Sequence, residues 1–143
     1  MKIAIGSDHA GYEMKEKVKQ HLQENGLSVL DFGTNSPESV DYPDFIHPVA
    51  ETVSKGEVNL GIILCGRGNG ANMTANKHQK IRSALCWIPE IARLARSHND
   101  ANICSLPARF VDIETAYKIV DTFLSTAFDN GRHMHRVEKI PLK

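Results

Sequence analysis

With 143 residues, 41% of them hydrophobic and 24% charged, the chain has the length of one ordinary globular domain and enough apolar content to bury a core. Seventeen basic residues balance seventeen acidic ones with no block of like charge, which argues against a nucleic-acid or membrane surface and for a small-molecule partner. No run approaches membrane-spanning length, no signal-like stretch precedes the first strand, and three cysteines lie in apolar runs without zinc-cluster or disulfide spacing, so a reducing, cytoplasmic setting is expected.

The apolar residues 2 to 6 predict a strand, followed by the polar loop Ser7-Asp8-His9-Ala10-Gly11. A helix is expected from Tyr12 to about Glu24, with Tyr12, Met14, Val18 and Leu22 on its apolar side, Lys15, Glu16, Lys17 and Lys19 elsewhere, and Asn25-Gly26 as its stop. Leu27 to Phe32 predicts the second strand. Gly33 to Asp44 is a long turn-rich loop, a kind of segment that in compact domains is usually functional. Ile46, Val49, Ala50 and Val53 then recur at helical spacing up to Lys55-Gly56.

Leu60 to Leu64 predicts a buried third strand that stops at Cys65 and three alternating glycines, Gly66, Gly68 and Gly70, after which a helix begins. Ile81 to Cys86 predicts the fourth strand, and Pro89 opens a helix through Ile91, Leu94 and Ala95. Ser97-His98-Asn99-Asp100 reads as polar punctuation, Ala101 to Leu106 as the fifth strand, and Ile113 to Leu124 as the helix after it. The strict alternation predicts an α/β fold: a single-domain, doubly wound, Rossmann-like five-stranded parallel sheet with helices on both faces and a C-terminal helical tail.

The glycine loop fits neither the Walker spacing nor the dinucleotide fingerprint. Glycines there let backbone N–H groups approach a ligand closely, so an anion or developing oxyanion suits the site. Cys65, at the strand's end, is either a nucleophile or general base or a small buried apolar residue. Asp8-His9, His98-Asn99 just before the fifth strand and Arg109 just after it are further polar clusters beside strands. In the tail, Arg132 and Arg136 share one helical face, either a clamp for a phosphate or a solvated basic surface. His133 and His135 lack the spacing for zinc, and with His21, His47 and His78 they read as surface residues.

Gly6-Ser7-Asp8-His9-Ala10-Gly11, Asp41-Tyr42-Pro43, Cys65-Gly66 with the alternating glycines, Ala75-Asn76-Lys77, Ile81-Arg82, His98-Asn99-Asp100-Ala101-Asn102, Gly131-Arg132-His133 and Arg136-Val137 form a specific set in this order and spacing. Through them the chain resembles, along nearly its whole length, the type B ribose-5-phosphate isomerases and their galactose-6-phosphate isomerase relatives. The resemblance implies interconversion of ribose 5-phosphate and ribulose 5-phosphate through a cis-enediolate, without metal or organic cofactor. It implies Cys65 as the base that moves the proton, His98 as the acid or base that opens the furanose ring, and backbone N–H groups from Gly66 through Arg67, Gly68 and Asn69 to Gly70 as donors to the oxyanion. Asp8 and Asn99 would hold sugar hydroxyls, and His9, Arg109, Arg132 and Arg136 the phosphate. A homodimer or tetramer with shared active sites is implied as well.

Three positions depart from the family pattern. Arg67 and Asn69 stand where a serine or threonine and an aliphatic residue are usual, and Leu106-Pro107-Ala108-Arg109 lacks the glycine common before that arginine. The alternatives are an isomerase of a six-carbon sugar phosphate, allose or galactose 6-phosphate, and a non-catalytic phosphosugar-binding module.

Overall fold

The computed structural model describes every residue from Met1 to Lys143. Five strands, β1 (Lys2–Ser7), β2 (Ser28–Asp31), β3 (Leu60–Cys65), β4 (Ser83–Leu85) and β5 (Ile103–Pro107), form one sheet in the order β2-β1-β3-β5-β4. Every pairing is parallel. Each strand is followed by a helix: α1 (Tyr12–Glu24), α2 (Tyr42–Ser54), α3 (Asn69–Ala75), α4 (Pro89–Asn99) and α5 (Ile113–Ser125), with the tail helix α6 (Arg132–Val137) at the end.

Strand side chains alternate between two cores, as the period of a strand requires. Ile3, Ile5, Ile62, Leu64, Cys104 and Leu106 pack on one face with residues of α1, α4 and α5. Ala4, Ile63, Cys65 and Ile103 pack on the other with α2 and α3. β3 is buried throughout because it lies mid-sheet with both faces covered, which is why its sequence is apolar without alternation. The chain steps from β1 outward to β2 and returns to the other side of β1 as β3. The strand order therefore reverses between β1 and β3, and a crevice opens at their C-terminal ends.

Four expectations are corrected in detail. Lys15 does not lie on the polar side of α1: it is fully buried, and its ammonium bridges Asp31 at 2.8 Å and Glu16 at 2.9 Å. Burial pushes the Asp31 carboxyl up, but hydrogen bonds from Lys15, Lys19 and the Gly33 N–H outweigh it and hold the group below its ordinary range. The long loop ends earlier than expected, because Tyr42-Pro43 already forms the first turn of α2, where a missing N–H costs nothing. The fourth strand shortens to Ser83–Leu85: Asn102 Oδ1 takes the Arg82 N–H and the Asn76 amide takes both backbone groups of Ser83, so side chains replace ladder bonds.

Ser97-His98-Asn99 is not a loop before β5 but the last turn of α4, ended by Asp100 in the left-handed region at φ 49°. This moves His98 and Asn99 to the N-terminal edge of the sheet, since β5 begins a few residues later beside Gly61. α6 joins them there, tethered through the Asp129 N–H to the Ser97 carbonyl at 2.9 Å and through Arg96 Nε to the Thr126 carbonyl at 3.1 Å.

Candidate active site

Asp8, His9, Ala10, Tyr42, Cys65, Gly66, Arg67, Asn69, Gly70 and Arg109 line a pocket of about 240 Å³ at the C-terminal ends of β1 and β3. The topology explains the gathering: β1 delivers Asp8 and His9, β3 delivers Cys65 and the glycine loop, and β5 delivers Arg109. Cys65 is 6% exposed, seated in the α2–α3 core yet open to the pocket.

The loop is rigidly held. Gly68 sits at φ 76°, a conformation glycine adopts without strain, and a Cβ there would collide with Leu85 Cδ1. Gly70 lies against the Tyr42 ring, whose atoms would stand 2.6 Å from a Cβ, so a side chain at position 70 would displace the tyrosine. Ser105 Oγ donates to the Gly68 carbonyl at 2.8 Å, fixing the loop to β5. Past the strand ends, the Ala108 and Arg109 N–H groups donate to the Cys65 and Gly66 carbonyls at 3.0 and 2.9 Å. This extension of the ladder carries the Arg109 side chain across Gly66, within 3.3 Å of where its Cβ would be, and it does so without a glycine at position 108.

The Cys65, Gly66 and Gly68 carbonyls are engaged, whereas the loop keeps its donors free. The N–H groups of Gly66, Arg67 and Gly68, and those of Gly70 and Ala71 in the first turn of α3, have no backbone acceptor. A run of N–H groups without backbone partners beside a pocket marks a place for an anionic oxygen. Asp8 Oδ1 accepts the Gly11 N–H at 3.1 Å, which aims the carboxylate and leaves its second oxygen for a ligand hydroxyl. His9 Nδ1 accepts the Val40 N–H at 3.1 Å. That bond assigns the proton of the neutral ring to Nε2, making His9 a donor toward a ligand.

The other expected residues lie elsewhere in the chain. His98, Asn99, Arg132 and Arg136 sit at the N-terminal edge of the sheet, about 13 Å away along β3 alone at ~3.3 Å per residue. There the His98 ring stacks on His133, centroids 4.2 Å apart and planes 14° from parallel. Desolvation, then the charges of His98 and Arg132, lower the His133 pKa. His133 is thus a partner of His98, not an isolated surface residue. With Asp129 the two imidazoles bring three potential metal donors within 4.8 Å. The nearby guanidiniums of Arg132 and Arg136 favour an anion there over a cation.

Three residues escaped sequence reasoning, Tyr42 and Ser105 at the pocket and His133 at the far edge. Tyr42 carried the signal of an aromatic before proline at a helix start, after a long loop. Ser105 is indistinguishable from any strand serine until its loop partner is known. His133 follows Arg132 in a segment read for its arginines. The remaining thiols, Cys86 and Cys104, are fully buried away from the pocket. The bond with Cys86, followed by burial, raises Cys104 far above the ordinary thiol range.

Residues 3–140 match the ribose/galactose isomerase family model. The chain is 45% identical to ribose-5-phosphate isomerase B of Escherichia coli over 139 residues, covering 97% of this chain and 93% of that one. It superposes on a crystal structure of a ribose 5-phosphate isomerase from Thermotoga maritima with a TM-score of 0.96 at 55% identity, covering 98% and 97% of the two chains. The type B enzyme from Mycoplasma genitalium, solved with ribulose 5-phosphate bound, gives 0.94 at 42% identity over 97% and 93%. Fold, crevice and match over nearly the full length agree, and the chain belongs to the ribose/galactose isomerase family.

Proposed function

We infer that the chain interconverts ribose 5-phosphate and ribulose 5-phosphate, with Cys65 as the group that moves the proton. The observation that supports this most directly is the arrangement at the end of β3: a thiol opening onto a pocket beside a loop whose N–H groups have no acceptor of their own. Isomerisation of an aldose needs a base at C2, donors for the enediolate oxygen and a grip on the distant phosphate.

In the reaction, a furanose ring first opens, with His98 transferring the proton between the ring oxygen and the anomeric hydroxyl. The Cys65 thiolate then takes the proton from C2, and the electron pair moves through the C1–C2 bond onto the carbonyl oxygen. The resulting cis-enediolate is held by the loop N–H groups, where one such donor is worth about 3 kcal/mol. The proton returns to C1, the C2 hydroxyl proton passes to the C1 oxygen, and the ketose forms. Asp8 orients hydroxyls, while His9 Nε2–H and Arg109 face the phosphate.

His98, Asn99, Arg132 and Arg136 enter the same site from a second copy of the chain. Their position supports this assignment: one chain presents the two sets of residues at opposite sheet ends, and a homodimer that juxtaposes unlike ends completes two sites at once. The Arg132–Arg136 pair, four residues apart on α6, is fitted to a phosphate.

Incubation with ribose 5-phosphate, allose 6-phosphate and galactose 6-phosphate, with ketose formation followed, tests the substrate. Ketose is expected from ribose 5-phosphate. Turnover only of a six-carbon substrate would move the activity within the family, and no ketose from any of the three would refute the catalytic reading.

A further inference from the structure

His47 and His78 read from the sequence as two unrelated surface residues, and the fold brings them together. His47 stands on α2 and His78 in the turn that follows α3, yet His47 Nδ1 and His78 Nε2 lie 2.8 Å apart. Neither ring forms another hydrogen bond within the chain. Both residues are anchored: His47 follows the fully buried Ile46, and the His78 backbone is pinned on both sides. Its N–H donates to the Ala75 carbonyl at 3.1 Å, and its carbonyl accepts the Ile81 N–H at 3.0 Å. A bond between two neutral imidazoles at the surface adds little to stability, because water serves each nitrogen nearly as well.

The donor set is one that a divalent transition metal uses. Two imidazoles on one tetrahedral ion, at metal–nitrogen distances of about 2.0–2.1 Å, place their ring centres roughly 5 Å apart and their nitrogens about 3.3 Å apart. The centres of the His47 and His78 rings stand 5.0 Å apart, with planes 53° from parallel. Tilting the rings about those centres opens the nitrogens to the required separation while the backbone stays in place. A third donor lies one helical turn along α2: Glu51 is four residues after His47, on the same face. Desolvation, then the charge of His47, lower the His78 pKa and favour the neutral ring that a metal needs, and the Glu51 carboxylate is near enough to oppose them. Glu51 also meets Lys55 at 3.2 Å, but both side chains are 59% exposed, and such a surface pair yields easily to a stronger partner.

We propose that His47, Glu51 and His78 bind a zinc ion, with water as its fourth ligand, outside the reaction pocket. None of the three lines that pocket, but the elements that carry them lead to it: α2 opens with Tyr42, and α3 opens from the glycine loop. The ion ties the body of one helix to the turn that ends the other. Because the three donors converge only in the folded chain, zinc stabilises the native state.

Calorimetric titration with zinc tests the site in metal-stripped Cys65→Ala protein, a background that removes the pocket thiol as a competing ligand. One zinc per chain is expected to bind and to raise the Tm. His47→Gln and His78→Gln should each abolish that binding, and Glu51→Gln should weaken it about tenfold. Each variant should unfold near the parent's Tm when zinc is absent, which separates a lost ligand from a lost fold. No binding to the parent would reduce the pair to a hydrogen bond and overturn the proposal, as would unchanged binding in His47→Gln or His78→Gln. Parent-like affinity in Glu51→Gln would overturn the three-donor set. Binding that disappears in His133→Ala and survives in His78→Gln would place the ion at the other imidazole cluster and overturn the assignment.

Discussion

At the scale of the residue, Cys65 combines two properties that usually exclude each other. Most of its surface is buried among Ile63, Ala71 and other apolar side chains, yet its sulfur faces a pocket lined by two guanidiniums. Cys65→Ala removes the proposed proton carrier and little else. Turnover of ribose 5-phosphate should fall by about 10²- to 10⁴-fold, the range of a lost general base, while ribitol 5-phosphate still binds. Retention of wild-type ketose formation would exclude Cys65 as the base.

At the scale of the element, the clamp between α1 and β2 places the His9 side of the pocket. Lys15 and Lys19 hold Asp31, whose Oδ1 also accepts the Gly33 N–H at 2.9 Å and so fixes the start of the loop that ends at Val40 on His9. Asp31→Ala leaves the Lys15 ammonium buried without its main counter-charge, and a loss of about 3 kcal/mol in urea unfolding is expected. The Asp31 carboxyl is held below its ordinary pKa, so the native state binds its proton less readily than the unfolded chain. Its contribution is present above the unfolded pKa of about 4 and lost as the pH falls through the lower native value. The variant should therefore show a shallower acid limb in a stability-against-pH profile.

Elements of this kind also mark what could be read from the sequence. Strands with continuous apolar runs, such as Leu60–Cys65, and helices bounded by glycine or proline announced themselves, and strict alternation forced the parallel sheet. The pocket half of the site was legible because Asp8, Cys65 and Arg109 each follow a strand. The position of His98 was not. Polar Ser97-His98-Asn99 resembles a loop, yet it continues α4 by one more turn, with Ser97 buried, and the left-handed Asp100 ends the helix only after them, at the far edge of the sheet. Lys15 was hidden for the opposite reason: a lysine one residue from an apolar stripe looks solvated until Asp31 arrives from β2.

At the scale of the whole molecule, the two separated sets of residues determine what an assembly must do. The sheet end with the pocket also exposes Trp87 and Phe110, at 48% and 72%, apolar surface suited to contact with another chain. Cys65→Ala and Arg136→Ala proteins, each inactive, should regain activity after subunit exchange. At equal mixing about a quarter of wild-type turnover is expected, because half of the dimers are mixed and each carries one intact site of two. No recovery after mass spectrometry has shown exchange would place Arg136 in the same chain's site.

The distribution of cysteines gives the molecule its own active-site label. Cys86 and Cys104 are sealed inside the core, the latter with its thiol held protonated, and only Cys65 opens onto the pocket. Alkylation depends on thiolate character and access, so iodoacetamide at neutral pH should add a single group per folded chain. Ribose 5-phosphate should slow that addition in proportion to occupancy, and loss of turnover should track it one for one. Modification of Cys86 or Cys104 in native protein would show that the core opens. Without that opening, counting adducts by mass counts working sites, and a preparation's active fraction can be read without a substrate.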